Sequence, residues 1–247
     1  MNMQNRLGQA VGLVAESQLS VDAAGTGPIL PGPRGLAKPP MIVEPARLWF
    51  LSAVVVYGIG MLYSIFIWRR GFQKQSWVPF GLLAIAFALH TAALMSRGFS
   101  LQHCPVNNLY EATAFVLWTI SLGSIVFGLW PRLRFLGVFT SPLLFCVGVF
   151  AMMPGLDPEY GDKPQFINGW SSLHAALIML GYGSFGLSAV AGSIFLTQER
   201  NLKLHRASAL FTLLPPIQRL EKLITYALVA GLILLTAGLA IGGTFLE

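Results

Sequence analysis

The sequence predicts an all-α, polytopic transmembrane helical bundle with about six spans. Hydrophobic residues make up 55% of the 247 residues and charged residues only 11%, whereas charged residues are roughly a quarter of a soluble domain. Apolar runs near or above the ~20 residues that cross a bilayer recur along the chain, each bounded by Trp, Arg, Lys, Pro or Gly. The ~10-residue segments of alternating polarity that are typical of a membrane β-barrel do not occur. These observations exclude a soluble fold and favour a bundle of helices.

The chain divides into a polar tail, residues 1–46, and a transmembrane bundle, residues 47–247. The tail contains several Gly and Pro residues and lacks an apolar run long enough for a signal peptide, so we expect it to be disordered. The basic segment between the fifth and sixth spans is broken by Pro215-Pro216 and predicts a linker along the membrane surface. The fifth span is long enough to tilt or protrude. The predicted spans are 48–68, 77–96, 110–130, 135–153, 170–197 and 223–245.

The basic residues determine the predicted orientation. The formal net charge is +6, but the positive residues form short clusters beside the spans, as orientation signals do, and so predict no nucleic-acid partner. Ten of the sixteen lie in the connections after the first, third and fifth spans. The positive-inside rule assigns these connections to the cytoplasm, and both chain ends to the extracytoplasmic side of the cell inner (cytoplasmic) membrane, with lipid around the bundle. Cys104 and Cys146 are too far apart for a CxxC redox motif.

His174 is the first candidate ligand. It lies about one turn inside the outer end of the fifth span, in the sequence Trp170-Ser-Ser-Leu-His174, and an ionisable residue inside a membrane indicates a functional site. The same helical face continues through small residues, which favour the close approach of a neighbouring helix: Gly181, Ser184, Ser188 and Gly192. A neutral imidazole so placed either binds haem iron while its other nitrogen is oriented by a hydrogen bond, or is a hydrogen-bonded packing residue.

His90 and Arg97 are candidates on the second span. His90 lies thirteen residues after Trp77, roughly two thirds of the way across at ~1.5 Å per residue, so we expect it at a depth similar to that of His174. Arg97 shares its face near the outer interface, where a guanidinium is able to bind a haem propionate through charge-assisted hydrogen bonds. Snorkelling of the Arg97 side chain to the interface is the more ordinary interpretation.

The outer loop between the second and third spans contains the most specific motif in the chain, Pro105-Val-Asn107-Asn108-Leu109-Tyr110-Glu111. A carboxylate at a helix N-terminus is stabilised by unpaired backbone N–H groups and by the helix dipole, so capping alone explains Glu111. The alternative is that this segment holds the outer loop over a bound ligand. His103 lies in the same loop, where a histidine is more often solvated than a ligand.

The loop motif resembles the P-x-s-N-L-Y-E segment of the CcsA/ResC/HemX-like family of cytochrome c assembly membrane proteins. Trp170 through His174 is similar to that family's W-x-x-x-H helix, and residues 198–203, Gln-Glu-Arg-Asn-Leu-Lys, are similar to the Q-E-R-x-L-K stretch that follows it. Pro215-Pro216 with Leu220-Glu221 is similar to the HemX-like branch. The resemblance covers roughly residues 47–243, and the two separated motifs occur in the family's order.

The resemblance implies haem b as the cofactor and an apocytochrome c as the client that receives haem on the extracytoplasmic side. His174 matches the family's outer-face haem-ligand histidine, with Trp170 beside it. His90 is a weaker match for a second axial ligand. The implied role is that of a non-enzymatic assembly factor in cytochrome c-type biogenesis.

The family's Trp-rich WWD segment is expected soon after the sixth span, but no Trp follows Trp170. We therefore expect a partner membrane subunit, or a continuation of the chain, to supply this segment, and we do not expect this chain alone to attach haem covalently. The alternative function is a non-catalytic, HemX-like scaffold or regulator of haem metabolism. A small-molecule transporter predicts acidic residues at the midplane of the spans, and the spans contain none there.

Overall fold

The computed structural model describes residues 45–70, 77–101, 104–157, 169–204 and 216–244. Within these ranges the chain forms α-helices and no strand, so the predicted all-helical fold is confirmed for them. The helices are α1 (Pro45–Arg70), α2 (Trp77–Leu101), α3 (Leu109–Gly128), α4 (Leu136–Ala151), α5 (Gly169–Lys203) and α6 (Ile217–Gly243), with a short 3-10 helix, Pro131–Leu133, before α4. The predicted tail up to residue 44, His103, and residues 205–215 of the predicted surface linker lie outside the described residues.

Five of these helices are long and apolar enough to cross a membrane: α1, α2, α3, α5 and α6. The fourth helix, α4, has only 16 residues, or about 24 Å at ~1.5 Å per residue, which is less than the ~30 Å thickness of the hydrocarbon core. A sixth span through α4 therefore stays a prediction.

Helix α5 is longer than the predicted span, which ended at residue 197. It has 35 residues, or about 50 Å, and so exceeds the hydrocarbon core as expected of the fifth span. The polar residues that end the apolar run continue the helix, and Lys203 Nζ lies 2.7 Å from Glu199 Oε1 one turn earlier. Such a pair stabilises a helix without any apolar face. Hydropathy alone therefore places the end of α5 too early.

Two apolar cores hold the bundle together. The first joins α1, α2, α3 and α4 through buried residues that include Phe50, Leu83, Leu117 and Leu144. The second joins the start of α4 to α5 and α6. Because α5 and α6 pack most extensively against each other, they form a helical pair that meets the rest of the bundle chiefly through α3.

Close helix contacts establish the register of α3, α5 and α6. A Cβ at Gly183 of α5 would overlap Thr119 of α3, and a Cβ at Gly123 of α3 would lie 2.6 Å from Leu187 of α5, so the two helices run parallel. Helix α6 runs antiparallel to α5, because His174 contacts Gly238 whereas Ser188 contacts Ile224. The starts of α3 and α5 and the end of α6 therefore lie at one end of the bundle.

We expect Gly183→Ala to destabilise the bundle by about 1–3 kcal/mol, the usual cost of overpacking a close contact. The new Cβ would overlap the Cβ and Cγ2 of Thr119, atoms too near the α3 backbone to move away. Gly192→Ala on the same helix is the matched control, since nothing lies within 4 Å of a Cβ there. Thermal unfolding in detergent should separate the two variants; equal midpoints would contradict this packing.

At the opposite end, Arg134 closes the turn between α3 and α4. Its Nε donates to the Gly128 carbonyl at 3.3 Å, and its guanidinium lies 3.4 Å from the centroid of the Trp77 ring. A cation is favoured at a helix C-terminus because it satisfies an unpaired carbonyl and the helix dipole. The same end includes other basic residues that the structure describes: Arg200, Lys203, Arg219 and Lys222.

Candidate functional site

An ion-pair network joins four parts of the chain at one end of the bundle. Arg97, near the end of α2, donates from Nε to Glu111 Oε1 at 2.9 Å and from Nη2 to Asp157 Oδ1 at 2.6 Å. Arg47, in the first turn of α1, lies 3.8 Å through Nε from Asp157 Oδ2. The side chains of Arg97, Glu111 and Asp157 are at most 8% exposed. We call these four residues the arginine–carboxylate network, and their end of the bundle the network end.

The loop motif builds this network by capping α3. The Glu111 backbone N–H donates to Asn108 Oδ1 at 2.8 Å, and the Asn107 backbone N–H donates to Glu111 Oε2 at 3.0 Å. This reciprocal arrangement resembles a capping box. Asn108 Nδ2 also donates to Asp157 Oδ1 at 2.7 Å. The capping that the sequence indicated for Glu111 is present, and the same carboxylate pairs with Arg97.

Tyr110 occupies the centre of the network end. Its ring lies 5.6 Å from the Arg47 guanidinium and 5.7 Å from that of Arg97, within reach of a cation–π interaction. Its backbone N–H donates to the Leu156 carbonyl at 3.0 Å, in the segment after α4. Of the other motif residues, Pro105 is buried and Leu109 is exposed. The motif thus fixes the α2–α3 loop to α1, to α2 and to the segment after α4.

Sequence reasoning missed Arg47 and Asp157 as partners in this site. Neither residue belongs to the loop motif or lies beside a candidate histidine in the sequence. A usable signal was present, because both residues flank spans at the interface where Arg97 and Glu111 were expected. Opposite charges at one membrane interface favour pairing with each other.

The structure gives Arg97 two carboxylate partners. A guanidinium has enough N–H donors to bind more than one oxyanion. In Arg97, Nε pairs with Glu111 and Nη2 pairs with Asp157. These two ion pairs hold the Arg97 side chain in place at the network end, and no described contact joins it to the cavity beside His174. Contact with a haem propionate therefore stays a prediction.

His174 forms a close contact with α6. Its Nδ1 lies 2.7 Å from the carbonyl oxygen of Gly238, and a carbonyl oxygen only accepts. In the neutral imidazole Nδ1 therefore carries the proton and Nε2 is the unprotonated nitrogen. This agrees with the expectation that His174 faces a neighbouring helix. The geometry is also that of a metal-binding histidine, whose second nitrogen commonly donates to a backbone carbonyl.

A cavity of about 460 Å³ adjoins this contact at the network end of α5 and α6. It is lined by Trp170, Ala240, Ile241 and Thr244. Trp170 lies one turn before His174 on α5, and its side chain is 66% exposed. The α6 residues flank the two glycines nearest the imidazole, Gly238 and Gly242. An aromatic ring and apolar walls are thus available next to His174.

His90 lies inside the core formed by α1, α2 and α3. Its Nδ1 is 3.3 Å from Tyr57 Oη, which donates to Ser121 Oγ at 3.1 Å. The Phe50 ring packs edge-on against the imidazole with centroids 5.0 Å apart. The side chain is fully buried, and within the part of the chain that the structure describes Nε2 has no hydrogen-bond partner. A buried nitrogen of this kind is uncommon.

The two histidines lie in different surroundings. Gly183 of α5 lies against Thr119 of α3. His174 is nine residues before Gly183, and Glu111 is eight residues before Thr119, so His174 and Glu111 lie at about the same depth. His90 lies near Trp118, whose Nε1 donates to the adjacent Thr91, and so about 10 Å deeper at ~1.5 Å per residue. The similar depth expected from the sequence is wrong in this register, because α2 extends to Leu101, one further turn than predicted.

The described residues contain no cluster that would hold a bare metal ion, as no three His, Cys, Asp or Glu side chains come together within ranges 45–70, 77–101, 104–157, 169–204 and 216–244. A single imidazole is, however, sufficient as a protein ligand to haem iron.

Cys104 lines a separate apolar cavity at the network end, of about 460 Å³, with Thr91, Met95, Phe115 and Trp118 among its walls. Burial raises the pKa of the Cys104 thiol, and the nearby Glu111 carboxylate raises it further. The thiol is therefore protonated at neutral pH, and a thiol is a much weaker nucleophile than a thiolate.

A comparison with known protein families matches residues 106–247 to the family described as Cytochrome C assembly protein. The match covers more than half of the chain. It includes most of the loop motif and the whole of α3 to α6, with His174. It begins after α2, so His90 and Arg97 lie outside it.

Individual relatives carry related names. Protein NrfI of Wolinella succinogenes is 33% identical over 169 residues, which are 67% of this chain and 18% of that protein. Protein HemX of Brevibacillus brevis is 27% identical over 168 residues, 68% of this chain and 62% of that protein. The cytochrome c biogenesis protein CcsA of Mesostigma viride is 27% identical over 162 residues, 62% of this chain and 50% of that protein. The chain thus spans less than two thirds of the length of each.

Proposed function

This chain belongs to the family of cytochrome c assembly proteins, and from that membership we propose that it is a haem-binding membrane protein that takes part in cytochrome c assembly. Haem b is the proposed cofactor and an apocytochrome c the proposed client. Relatives of this chain include one named for cytochrome c biogenesis. The role proposed is that of a non-enzymatic assembly factor, in which the described residues around His174 provide a ligand and a binding surface.

The observation that carries this proposal is the geometry of His174. Its Nδ1 donates to the Gly238 carbonyl at 2.7 Å, so in the neutral ring the lone pair is on Nε2, the nitrogen that would bind iron. The hydrogen bond also orients the ring and raises the basicity of Nε2. Both properties are what an axial haem ligand requires.

The cavity beside His174 suits a flat apolar group. Trp170 provides an aromatic face, and Ala240, Ile241 and Thr244 provide small or apolar walls. Bound haem would supply the iron and the porphyrin that the client receives. The residues of this chain would hold it, with His174 on the iron and Trp170 against the ring.

His90 is a less suitable ligand in this structure. It has an unpartnered Nε2 within the described residues, as a ligand would, but its side chain is fully buried between Phe50, Tyr57 and their neighbours. Haem would reach it only after α1 and α2 separate. We therefore propose that a partner membrane subunit would provide any second ligand, and we keep His90 as the intramolecular alternative.

The proposed orientation places the network end outside the cytoplasm, with six spans and both chain ends on that side of the cell inner membrane. The opposite end includes Arg134, whose guanidinium lies over the Trp77 ring, and four further described basic residues. At the network end, Arg47 and Arg97 pair with carboxylates. The positive-inside rule depends on Lys and Arg near the spans and therefore supports a cytoplasmic position for the end rich in them.

A second candidate function is a scaffold or regulator of haem metabolism. Two relatives are named HemX, and the match covers a larger share of the Brevibacillus protein, 62%, than of NrfI, 18%. In this alternative the bundle acts through contacts with partner proteins.

Deletion of the gene, followed by complementation, distinguishes the two candidates. We expect the deletion strain to lose c-type cytochromes on a haem-stained gel, and the intact chain to restore them. His205→Ala, at a histidine that the sequence assigns to no candidate site, should also restore them as a control, whereas His174→Ala should not. Intact c-type cytochromes with altered accumulation of tetrapyrrole precursors would overturn the assembly role and support the regulator.

A further inference from the structure

Two glycines of α6 surround the imidazole of His174, although no sequence motif includes them. We infer that Gly238 and Gly242 are positioning residues, which together keep the His174 proton on Nδ1 and present Nε2 to iron. The inference deepens the proposed haem-binding function and rests on it for the identity of the metal. The arrangement of the ring itself is independent of haem.

Gly238 provides the acceptor. Its carbonyl oxygen lies 2.7 Å from His174 Nδ1, which is short for a hydrogen bond between neutral groups. The backbone reaches this distance because α5 and α6 are very close at this level. A Cβ at Gly238 would lie 2.9 Å from Ile178 Cγ1 and 3.4 Å from the Ile178 backbone nitrogen, so a larger residue would push the carbonyl away.

Gly242 provides the space for the ring. It follows Gly238 by one turn, and a Cβ at this position would lie 2.5 Å from His174 Cε1 and 2.7 Å from Nδ1. These distances are well inside van der Waals contact. The imidazole occupies the position that the Cβ of any other amino acid at residue 242 would take. It can therefore lie against α6 only because residue 242 is glycine.

The two glycines therefore determine which nitrogen carries the lone pair. With the proton on Nδ1 and Nδ1 bonded to the Gly238 carbonyl, iron would bind through Nε2. Hydrogen-bond partners of metal-binding histidines typically change metal affinity by about 10–100-fold when they are altered. Gly238 and Gly242 are thus expected to affect haem affinity through His174, without themselves binding the iron.

Gly243 offers a matched control on the same helix. It is the next residue in the chain, but nothing lies within 4 Å of a Cβ built there. Gly242→Ala and Gly243→Ala add the same methyl group and the same gain in helix propensity. Only the first places that methyl group against His174.

The first experiment measures the ring protonation directly. The full chain, with ¹⁵N-labelled histidine rings and in lipid nanodiscs, is examined by NMR before haem is added, and the His174 signals are assigned by their loss in His174→Gln. We expect the wild type and Gly243→Ala to show a single neutral tautomer with the proton on Nδ1, and Gly242→Ala to show a mixture or the opposite tautomer. A wild type protonated on Nε2, or equal spectra for the two glycine variants, would overturn the inference.

The second experiment measures haem affinity. Haemin titration should give a dissociation constant about 10–100-fold higher for Gly242→Ala than for Gly243→Ala, and an unchanged constant in Gly242→Ala would overturn the inference. A wild type with the expected tautomer but no haem binding would refute the proposed function and leave the positioning of His174 intact. Conversely, haem binding with the proton on Nε2 would refute the positioning and leave the function intact.

Discussion

Arg97→Ala should destabilise the folded bundle by about 3–5 kcal/mol, the range found when one partner of a buried ion pair is removed. The substitution leaves Glu111, whose side chain is 1% exposed, without the cation that lies 2.9 Å from it, and it removes the 2.6 Å partner of Asp157. Among the described residues, Arg47 is the remaining cation paired with Asp157, at 3.8 Å, and it is too far from ideal geometry to compensate. The loss should be largest at the network end, where α1, α2, α3 and the segment after α4 meet.

The matched control is Lys203→Ala at the other end of the bundle. Lys203 also pairs with a carboxylate, Glu199, at 2.7 Å, but the Lys203 side chain is 74% exposed, and exposed pairs within a helix contribute only about 0.3–0.5 kcal/mol. Unfolding of both variants in detergent, followed by far-UV circular dichroism against denaturant concentration, compares the two effects. Similar midpoints for Arg97→Ala and Lys203→Ala would show that the network contributes no more than a surface pair.

The helices were predictable because hydropathy and length are properties of the local sequence. Long apolar runs must satisfy their backbone hydrogen bonds internally in a bilayer, so each becomes a helix whatever its neighbours are. The cap of α3 was predictable for the same reason, since Asn108 and Glu111 are three residues apart and act on one another through the backbone between them. Short-range chemistry needs no knowledge of the fold.

The long-range contacts were not predictable in this way. Arg97 and Asp157 are 60 residues apart, and His174 and Gly238 are 64 apart, so each contact depends on how the helices pack. The sequence indicated that His174 faces a helix, but not that α6 is that helix or that its glycines receive the ring. His90 shows the same limit, because its partner Tyr57 comes from α1 and Tyr57 in turn donates to Ser121 of α3.

His174→Ala should reduce haem affinity more than any other single substitution in the described part of the chain. It removes the proposed iron ligand itself, so the loss should exceed the ~10–100-fold that follows from altering a ligand's hydrogen-bond partner. The fold should survive, because the ring is only partly buried between α5 and α6. Its removal costs the hydrogen bond to the Gly238 carbonyl near the network end of the bundle. By contrast, His90→Ala removes a fully buried side chain from the core, and we expect it to lower stability while haem affinity changes little.

The most direct measurement is a haemin titration of the purified full chain in lipid nanodiscs, followed by the Soret absorbance. The account predicts a saturable Soret band for the wild type and for the His205→Ala control, and a band that is lost or strongly weakened for His174→Ala, with all three proteins equally helical by circular dichroism. No Soret band in the wild type, or an equal band in folded His174→Ala, would contradict the claim that this chain holds haem through His174.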